Sequence, residues 1–443
     1  MSVRFGTDGV RGPANEVVTA ELALALGRAT VRVFPAEAVV VGRDTRESGP
    51  MLAAAVAAGV AAEGADAVLI DVVPTPAVAA ASAARGVPGV MISASHNPFG
   101  DNGLKVFGPG GGKLTDAQQR AVEAELDVLL AAGVSGAGGT VGAVRGDESA
   151  LGDYATRVQA ALEGRRLDGL RVVVDCANGS NAVVGPVVLR ALGADVAVIA
   201  DQPDGRNIND QCGSTHPELL QAAVVERGAD LGIAFDGDAD RVLAVDETGN
   251  VVDGDQIIAL CALDLRRRGR LAHDTVVVTV MTNLGFRQAM SAAGITVVDT
   301  AVGDRYVLEA INAGGYSLGG EQSGHIIFGD LATTGDGLLS AVMLADLVVR
   351  SGASLADLAA ASMTRLPQVL RNVRVAVPVP DVADRLADEI AAVTAELGDT
   401  GRVLLRPSGT EPVVRVMAEA PTDDRAAEVV DRLALAVEQL VAR

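Results

Sequence analysis

Three segments of the chain repeat one pattern of apolar and polar positions. Val39–Gly42 is a short apolar run rich in β-branched residues. It is followed by the polar Arg43-Asp44-Thr45, an Ala-rich stretch near Pro50–Glu63, the triplet Gly64-Ala65-Asp66 and a second apolar run. Val172–Asp175 opens another copy, with a helical stretch to Leu192, then Gly193-Ala194-Asp195 and the run Val196–Ile199. Val276–Val280 opens the third, with a helical stretch to Ala293, then Gly294 and Ile295–Val298. Apolar runs alternating with helices predict parallel strands covered on both faces. The Gly behind each helix suits a left-handed C-cap.

The tail reads differently. Asn372–Val379, Val403–Arg406 and Val413–Glu419 have strand character, and helices are predicted near Asp381–Leu397 and Asp423–Val441. The order β-α-β-β-α points to an α+β unit. A Gly/Ala/Ser-rich stretch, Ala131–Gly146, and the region of Pro367 read as boundaries. The expected fold is therefore α/β, with three similar α/β domains of mixed or parallel sheets and a C-terminal α+β domain. The expected divisions are residues 1–146, 147–252, 253–366 and 367–443. Ligands of open α/β sheets bind at the carboxyl ends of strands, so the loops that follow strands are where chemistry is sought.

Composition sharpens this picture. The chain of 443 residues is 49% hydrophobic and 21% charged, which excludes wholesale disorder. With no Trp, three Tyr and seven Phe, its cores must be built mainly of Ala, Val and Leu. A net charge of −21 argues against nucleic-acid binding, because a phosphate backbone would be repelled. An anionic small substrate then requires Arg concentrated locally. Cys176, Cys212 and Cys261 are far apart and form no CxxC pair, so a reducing, cytoplasmic setting is expected. The opening MSVRFGTDGVRG lacks the apolar core of a signal peptide, and no apolar run reaches the ~18 residues of a membrane span. Of the 36 basic residues only Lys105 and Lys113 are Lys. A Lys kept in an Arg-rich chain invites a role that Arg cannot fill, such as losing a proton.

Four loops carry candidate chemistry. Ile92-Ser93-Ala94-Ser95-His96-Asn97-Pro98 presents a Ser hydroxyl at a strand end; a Ser-His hydrolase and a plain hydroxyl-rich turn are the alternatives. Phe235-Asp236-Gly237-Asp238-Ala239-Asp240-Arg241 follows an apolar strand. Alternate residues of an extended chain face one way, so its three carboxylates can converge on a hard cation, Mg2+ before Zn2+. A calcium-hand reading fails, because Arg241 stands where that loop needs Gly and strands flank it. Gly319-Gly320-Glu321-Gln322-Ser323-Gly324-His325 offers the mixed donors and acceptors that suit sugar hydroxyls. Leu404–Pro412, with Arg406, Ser408, Gly409 and Thr410, and with Arg415 beyond, resembles a phosphate cradle; the Walker spacing is absent. Phe5–Gly12 adds a Gly-rich loop ending in Arg11-Gly12, and Asn102-Gly103-Leu104-Lys105 sets the rare Lys close behind the Ser loop.

The order of these loops, FGTDGVRG, ISASHNP, DGDADR, GEQSGH and RPSGTEP, resembles the α-D-phosphohexomutase superfamily over essentially the whole chain. The loop Ala301–Tyr306 fits the branch acting on glucosamine phosphates; phosphomannomutase/phosphoglucomutase relatives tend to carry His after that Gly, and another residue at Gln322. The resemblance implies a heart-shaped, four-domain fold around a central cleft, with the phosphoserine, metal, sugar and phosphate loops contributed one per domain. It implies interconversion of glucosamine 6-phosphate and glucosamine 1-phosphate through a phosphoserine enzyme and a hexosamine bisphosphate, which also acts as activator. That reaction lies on the route to UDP-N-acetylglucosamine and cell wall. Ser95 would be the phosphoserine. Asp236, Asp238 and Asp240, with a phosphate oxygen on Ser95, would hold Mg2+. Arg241, Glu321 and Ser323 would bind substrate. Arg406, Ser408, Gly409, Thr410 and Arg415 would grip the non-reacting phosphate. Arg11, Lys105 and His325 would surround the transferring group, with Lys105 or His325 as the base. A homodimer is compatible with the family, and no nucleic-acid or membrane partner is expected. The competing readings are a phosphomannomutase/phosphoglucomutase, a metal-dependent phosphatase and a non-catalytic sugar-phosphate sensor.

Overall fold

The computed structural model describes residues 5–6, 9–132, 139–377, 379–407 and 412–441. Two compact units are present: Met1–Met281 with Gly294–Ser362, and Thr282–Ala293 with Met363–Arg443.

The first unit holds three sheets built on one plan. In the six-stranded sheet, Gly89–Ile92, Ala38–Arg43 and Asp66–Val72 run parallel, and Asp101–Phe107 returns antiparallel beside Gly89–Ile92. In the five-stranded sheet, Leu231–Phe235, Arg171–Asp175 and Asp195–Ile199 are parallel, and Val242–Asp246 returns antiparallel beside Leu231–Phe235. In the four-stranded sheet, Thr296–Thr300, Thr275–Thr279 and Leu318–Gly320 are parallel, and Ile326–Phe328 returns antiparallel. The repeats expected from the apolar pattern are the parallel parts. The antiparallel return was not read from it. That return has a consequence: the Ser, Asp and Glu-Ser-His loops each join a parallel strand to its antiparallel neighbour.

The helices follow from the same pattern. Gly49–Ala62 lies between Ala38–Arg43 and Asp66–Val72 in sequence, and Val184–Ala191 and Leu284–Ala292 hold the corresponding places in the other repeats. The glycines behind them, Gly64, Gly193 and Gly294, all have positive φ, as their C-cap reading requires. The cores are aliphatic, as the composition dictates. In the buried cluster over the six-stranded sheet, Phe34 stands among Ala, Val, Leu and Ile.

In the second unit Gln368–Arg374, Val413–Glu419 and Arg402–Pro407 form an antiparallel sheet in that spatial order, with Asp423–Val441 against it. The expected β-α-β-β-α order holds, with two adjustments. The first strand starts earlier than Asn372, since its register runs the length of Val413–Glu419. The helix expected over Asp381–Leu397 breaks at the buried Leu386 into Val382–Arg385 and Ala387–Leu397. A third finding is that Leu284–Ala292, the helix of the third repeat, belongs to this unit. The buried Glu419 carboxylate accepts from Leu284 N at 2.7 Å at the start of that helix, where an anion is favourable. The amide of Asn283 brackets Leu366, donating to its carbonyl and accepting from its N–H, each at 3.0 Å.

Among the described residues no single helix is long and apolar enough to cross a membrane.

Candidate active site

Ser95 lies three residues beyond Gly89–Ile92 and is buried, with φ +54°. A left-handed backbone is uncommon for a residue with a Cβ, and it marks a constrained loop. Its Oγ donates to Asp236 Oδ2 at 2.5 Å. His96 Nδ1 is 3.4 Å from the same Oγ and 3.3 Å from Arg241 Nη1. Burial, reinforced by Arg241 and Arg11, pushes the His96 imidazole down to about 4. Ser95 thus addresses the carboxylate at the shorter distance, with His96 as the longer contact.

Asp236, Asp238 and Asp240 are buried, and one carboxylate oxygen of each lies within 4.8 Å of the others. The expectation of convergence holds but its stated cause does not. The segment is a turn rather than an extended run: Ala239 N donates to Asp236 O at 3.0 Å, and Ala239 has φ +56°. Gly237 is required there, because a Cβ would come within 2.7 Å of Ser95 O and 2.6 Å of Ile208 Cδ1. Neighbouring elements pin the turn from several sides. Thr75 donates from its N–H to Asp238 O at 2.9 Å and from Oγ1 to Asp238 Oδ2 at 2.6 Å. Gly337 N donates to Ala239 O at 3.1 Å, and Val242 N to Gly324 O at 3.1 Å.

The electrostatics of the cluster are divided. Lys105 Nζ, itself buried, is 2.7 Å from Asp238 Oδ2 and 3.4 Å from Asp240 Oδ2. Lys105 reaches them from Asp101–Phe107, where it sits across from Met91. Burial alone would raise Asp238, but Lys105 and the Thr75 hydroxyl bring it below the usual carboxylate range. Asp236 moves the other way, raised by burial and by the charges of Asp240 and Asp238. Oδ1 of Asp238 and Oδ1 of Asp240 are buried and have no hydrogen-bond partner among the described residues. Unsatisfied buried carboxylate oxygens in a cluster of three acids suit a hard cation.

Beside the cluster opens a cleft of about 370 Å³. Arg11, Asp240, Arg241, Asp304, Glu321 and Ser323 are among the residues that line it. Arg11 arrives on Val10–Pro13, opposite Gly103. Glu321 is set by its loop: its N–H donates to His325 O at 3.0 Å, and its Oε1 accepts from Gly303 N at 3.1 Å. His325 does not line the cleft. It is buried, its Nε2 is 3.4 Å from Asp304 Oδ2, and neither ring nitrogen has a hydrogen-bond partner among the described residues.

In the second unit, Arg406 and Arg415 face each other across neighbouring strands. Burial and the charge of Arg415 lower the Arg406 guanidinium from its ordinary value. Two cations held side by side suit an anion. Ser408, Gly409 and Thr410 fall outside the described residues.

Comparison with known proteins decides the family. Models of phosphoglucomutase/phosphomannomutase match in four consecutive pieces. Alpha/beta/alpha domain I matches residues 2–129, domain II 152–249, domain III 253–366 and the C-terminal domain 370–436. The chain belongs to the phosphoglucomutase/phosphomannomutase family. Within it, the chain is 56% identical to the phosphoglucosamine mutase of Frankia alni, covering 99% of this chain and 98% of that one. It is 55% identical to that of Thermobifida fusca, over 98% of each chain. Among solved structures, a phosphoglucomutase/phosphomannomutase family protein of Burkholderia thailandensis has a TM-score of 0.83 at 26% identity, covering 99% of this chain and 98% of that one. The Aspergillus fumigatus N-acetylphosphoglucosamine mutase, solved with GlcNAc-6P and magnesium, shares the fold with a TM-score of 0.68 at 20% identity, over 99% and 96% of the two chains. The resemblance read from the loop motifs is thus borne out at the level of family and fold class.

Arg46, Thr75 and Asn209 belong to this region although no sequence motif singled them out. Arg43-Asp44-Thr45 was visible as a polar break after a strand, but nothing local told what Arg46 reaches.

Proposed function

We propose that the protein interconverts glucosamine 6-phosphate and glucosamine 1-phosphate, with Ser95 carrying the phosphoryl group. The observation that carries this reading is the Ser95 hydroxyl at 2.5 Å from Asp236, in a buried three-carboxylate cluster with unsatisfied oxygens beside an arginine-lined cleft. The curated relatives named phosphoglucosamine mutase select glucosamine phosphate among the hexose phosphates.

Asp236, Asp238 and Asp240 would hold Mg2+ together with an oxygen of the Ser95 phosphate; bound there, the ion neutralises phosphoryl charge and raises the electrophilicity of phosphorus. Arg11 and Arg241 draw the substrate phosphoryl oxygens, and Glu321 and Ser323 meet sugar hydroxyls. In the first half-reaction the bond between phosphorus and Ser95 Oγ breaks as one forms to the free sugar hydroxyl, giving the 1,6-bisphosphate. The proton of that hydroxyl must leave. Lys105 or His325 would take it: Lys105 stands at Asp238 and Asp240 as their counter-charge and must first give up its own proton, while His325 lies behind Asp304. The bisphosphate then turns, and its other phosphoryl returns to Ser95. Arg406 and Arg415, with Ser408, Gly409 and Thr410, would take the non-reacting phosphate. Phosphoryl transfer asks little more of a protein than positioning and charge. A hexosamine or hexose bisphosphate would prime Ser95.

Mass spectrometry of the intact protein and its peptides tests this directly. About 80 Da on the Ser95 peptide is expected after incubation with glucose 1,6-bisphosphate. Its absence, or net release of inorganic phosphate from hexose phosphates, would favour the phosphatase reading. Turnover compared on glucosamine, glucose and mannose phosphates separates this mutase from its phosphomannomutase/phosphoglucomutase relatives.

A further inference from the structure

Arg46 is a fully buried guanidinium well away in sequence from the loop it serves. A buried charge is costly unless every donor is used. Its Nε donates to Asp44 Oδ2 at 2.9 Å. Its Nη2 donates to Ser95 O at 3.0 Å and Asn97 O at 2.8 Å. Its Nη1 donates to Asp101 O at 3.1 Å and to Pro98 O. All four carbonyls lie on the arc that carries Ser95. The same Asp44 Oδ2 accepts from Ser93 Oγ at 2.7 Å, and Ser93 Oγ accepts from Ser95 N at 2.9 Å. Asn209 Nδ2 adds a second donor to Ser95 O at 2.9 Å.

Ser95 is therefore gripped on both sides of its Cα, at N–H and at C=O. This matters because its backbone is left-handed, a strained conformation for a residue with a Cβ that persists only where surroundings enforce it. A loop free to relax would swing Oγ away from Asp236.

We propose that Arg46, Asp44 and Ser93 form a positioning frame that holds Ser95 in its left-handed conformation and aims Oγ at the carboxylate cluster. Arg46 does not line the cleft. It acts through the loop, which makes it a positioning residue rather than a catalytic one. Only a planar fork reaches these acceptors together, so Lys should not substitute. The proposal rests on Ser95 being the phosphoryl carrier.

The test uses full-length protein, wild type and the variants Arg46→Lys, Ser93→Ala and Asn209→Ala. Loading of Ser95 from glucose 1,6-bisphosphate is followed by intact mass, with kcat and KM for glucosamine 6-phosphate and a melting curve beside it. In Arg46→Lys and Ser93→Ala, loading rate and kcat should fall about 100-fold while KM moves little, the pattern of sub-ångström misplacement. Asn209→Ala should lose less, since Arg46 still holds the same carbonyl. Ser93→Ala keeps the buried ion pair, so it carries the test if Arg46→Lys fails to fold. Wild-type loading and kcat in a folded Ser93→Ala protein, or a loss confined to KM, would overturn the frame. A wild-type enzyme that never takes phosphate on Ser95 would overturn the underlying mutase reading instead.

Discussion

Lys105 and Lys113 are both almost wholly buried, and both pair with aspartate, yet the corners they occupy differ in what is left over. Lys105 reaches Asp238 and Asp240 in a cluster of three acids, and two carboxylate oxygens there keep no hydrogen-bond partner among the described residues. Lys113 meets Asp304, whose other oxygen accepts from Arg305 N at 2.7 Å. There the contacts continue outward: Arg305 is 2.6 Å from Asp116 and its guanidinium lies 4.9 Å from the centre of the Tyr306 ring. The first corner holds more acid than its lysine meets and has room for a further cation. The second reaches the cleft through Asp304 and ties the segment around Lys113 to the loop that lines it. An identical pair of residue types thus sits in two settings, and what separates them is the count of unsatisfied carboxylate oxygens.

The comparison can be broken by substitution. Asp238→Asn should have the largest effect, lowering turnover and apparent Mg2+ affinity about 100-fold or more, as loss of a first ligand exceeds the 10–100-fold typical of its supporting groups. Its melting temperature should fall as well, because buried Lys105 loses the nearer of its two carboxylates. A wild-type Mg2+ titration in this variant would remove the cation reading of the first corner. Lys113→Met should instead act on stability, by about 3 kcal/mol in denaturant unfolding, since a buried carboxylate loses its counter-charge. A Lys113→Met protein as stable as wild type would show that the second corner is no latch. Lys105→Met should sharpen the contrast: added Mg2+ should raise its melting temperature more than it does for wild type, because ligand that binds only the folded state stabilises by mass action. An equal or smaller rise would contradict it.

The smallest effect is one of pH. His96, beside Ser95, is held down to about 4 by burial and by Arg241 and Arg11, against an ordinary value of 6.5. The unfolded chain then binds the extra proton first as pH falls. The contribution of His96 to stability is constant above about 6.5 and declines from there toward 4. His96→Gln should flatten that part of the stability curve, and an unchanged slope would show that His96 titrates normally.

Much of this arrangement was legible in the sequence, for reasons that can be named. Ser95 and the three aspartates stand in short polar loops directly after apolar strands, and such loops announce themselves by residue type. What joins them was less legible. Convergence of the aspartates comes from a turn with Ala239 at positive φ, whereas alternation along an extended chain was the expectation. Arg46 was silent because its partners are main-chain carbonyls as far as 55 positions away, which carry no side-chain signature. Mixed sheets were expected, but which strands return antiparallel was not legible, because an apolar run such as Val242–Asp246 reads the same whichever way its neighbour points. Likewise, the periodicity of Leu284–Ala292 reveals an amphipathic helix but not which unit receives its apolar face.

The burial of both lysines has a further practical meaning. Their side chains are 2% and 7% exposed, and every other basic side chain of the chain is arginine or histidine. Reagents that acylate primary amines therefore find almost no lysine at the surface of the folded protein. Acetylation or an amine-directed crosslink at Lys105 or Lys113 would report that the corner concerned had opened. Labelling kinetics at just two positions would then give a separate clock for the breathing of each corner.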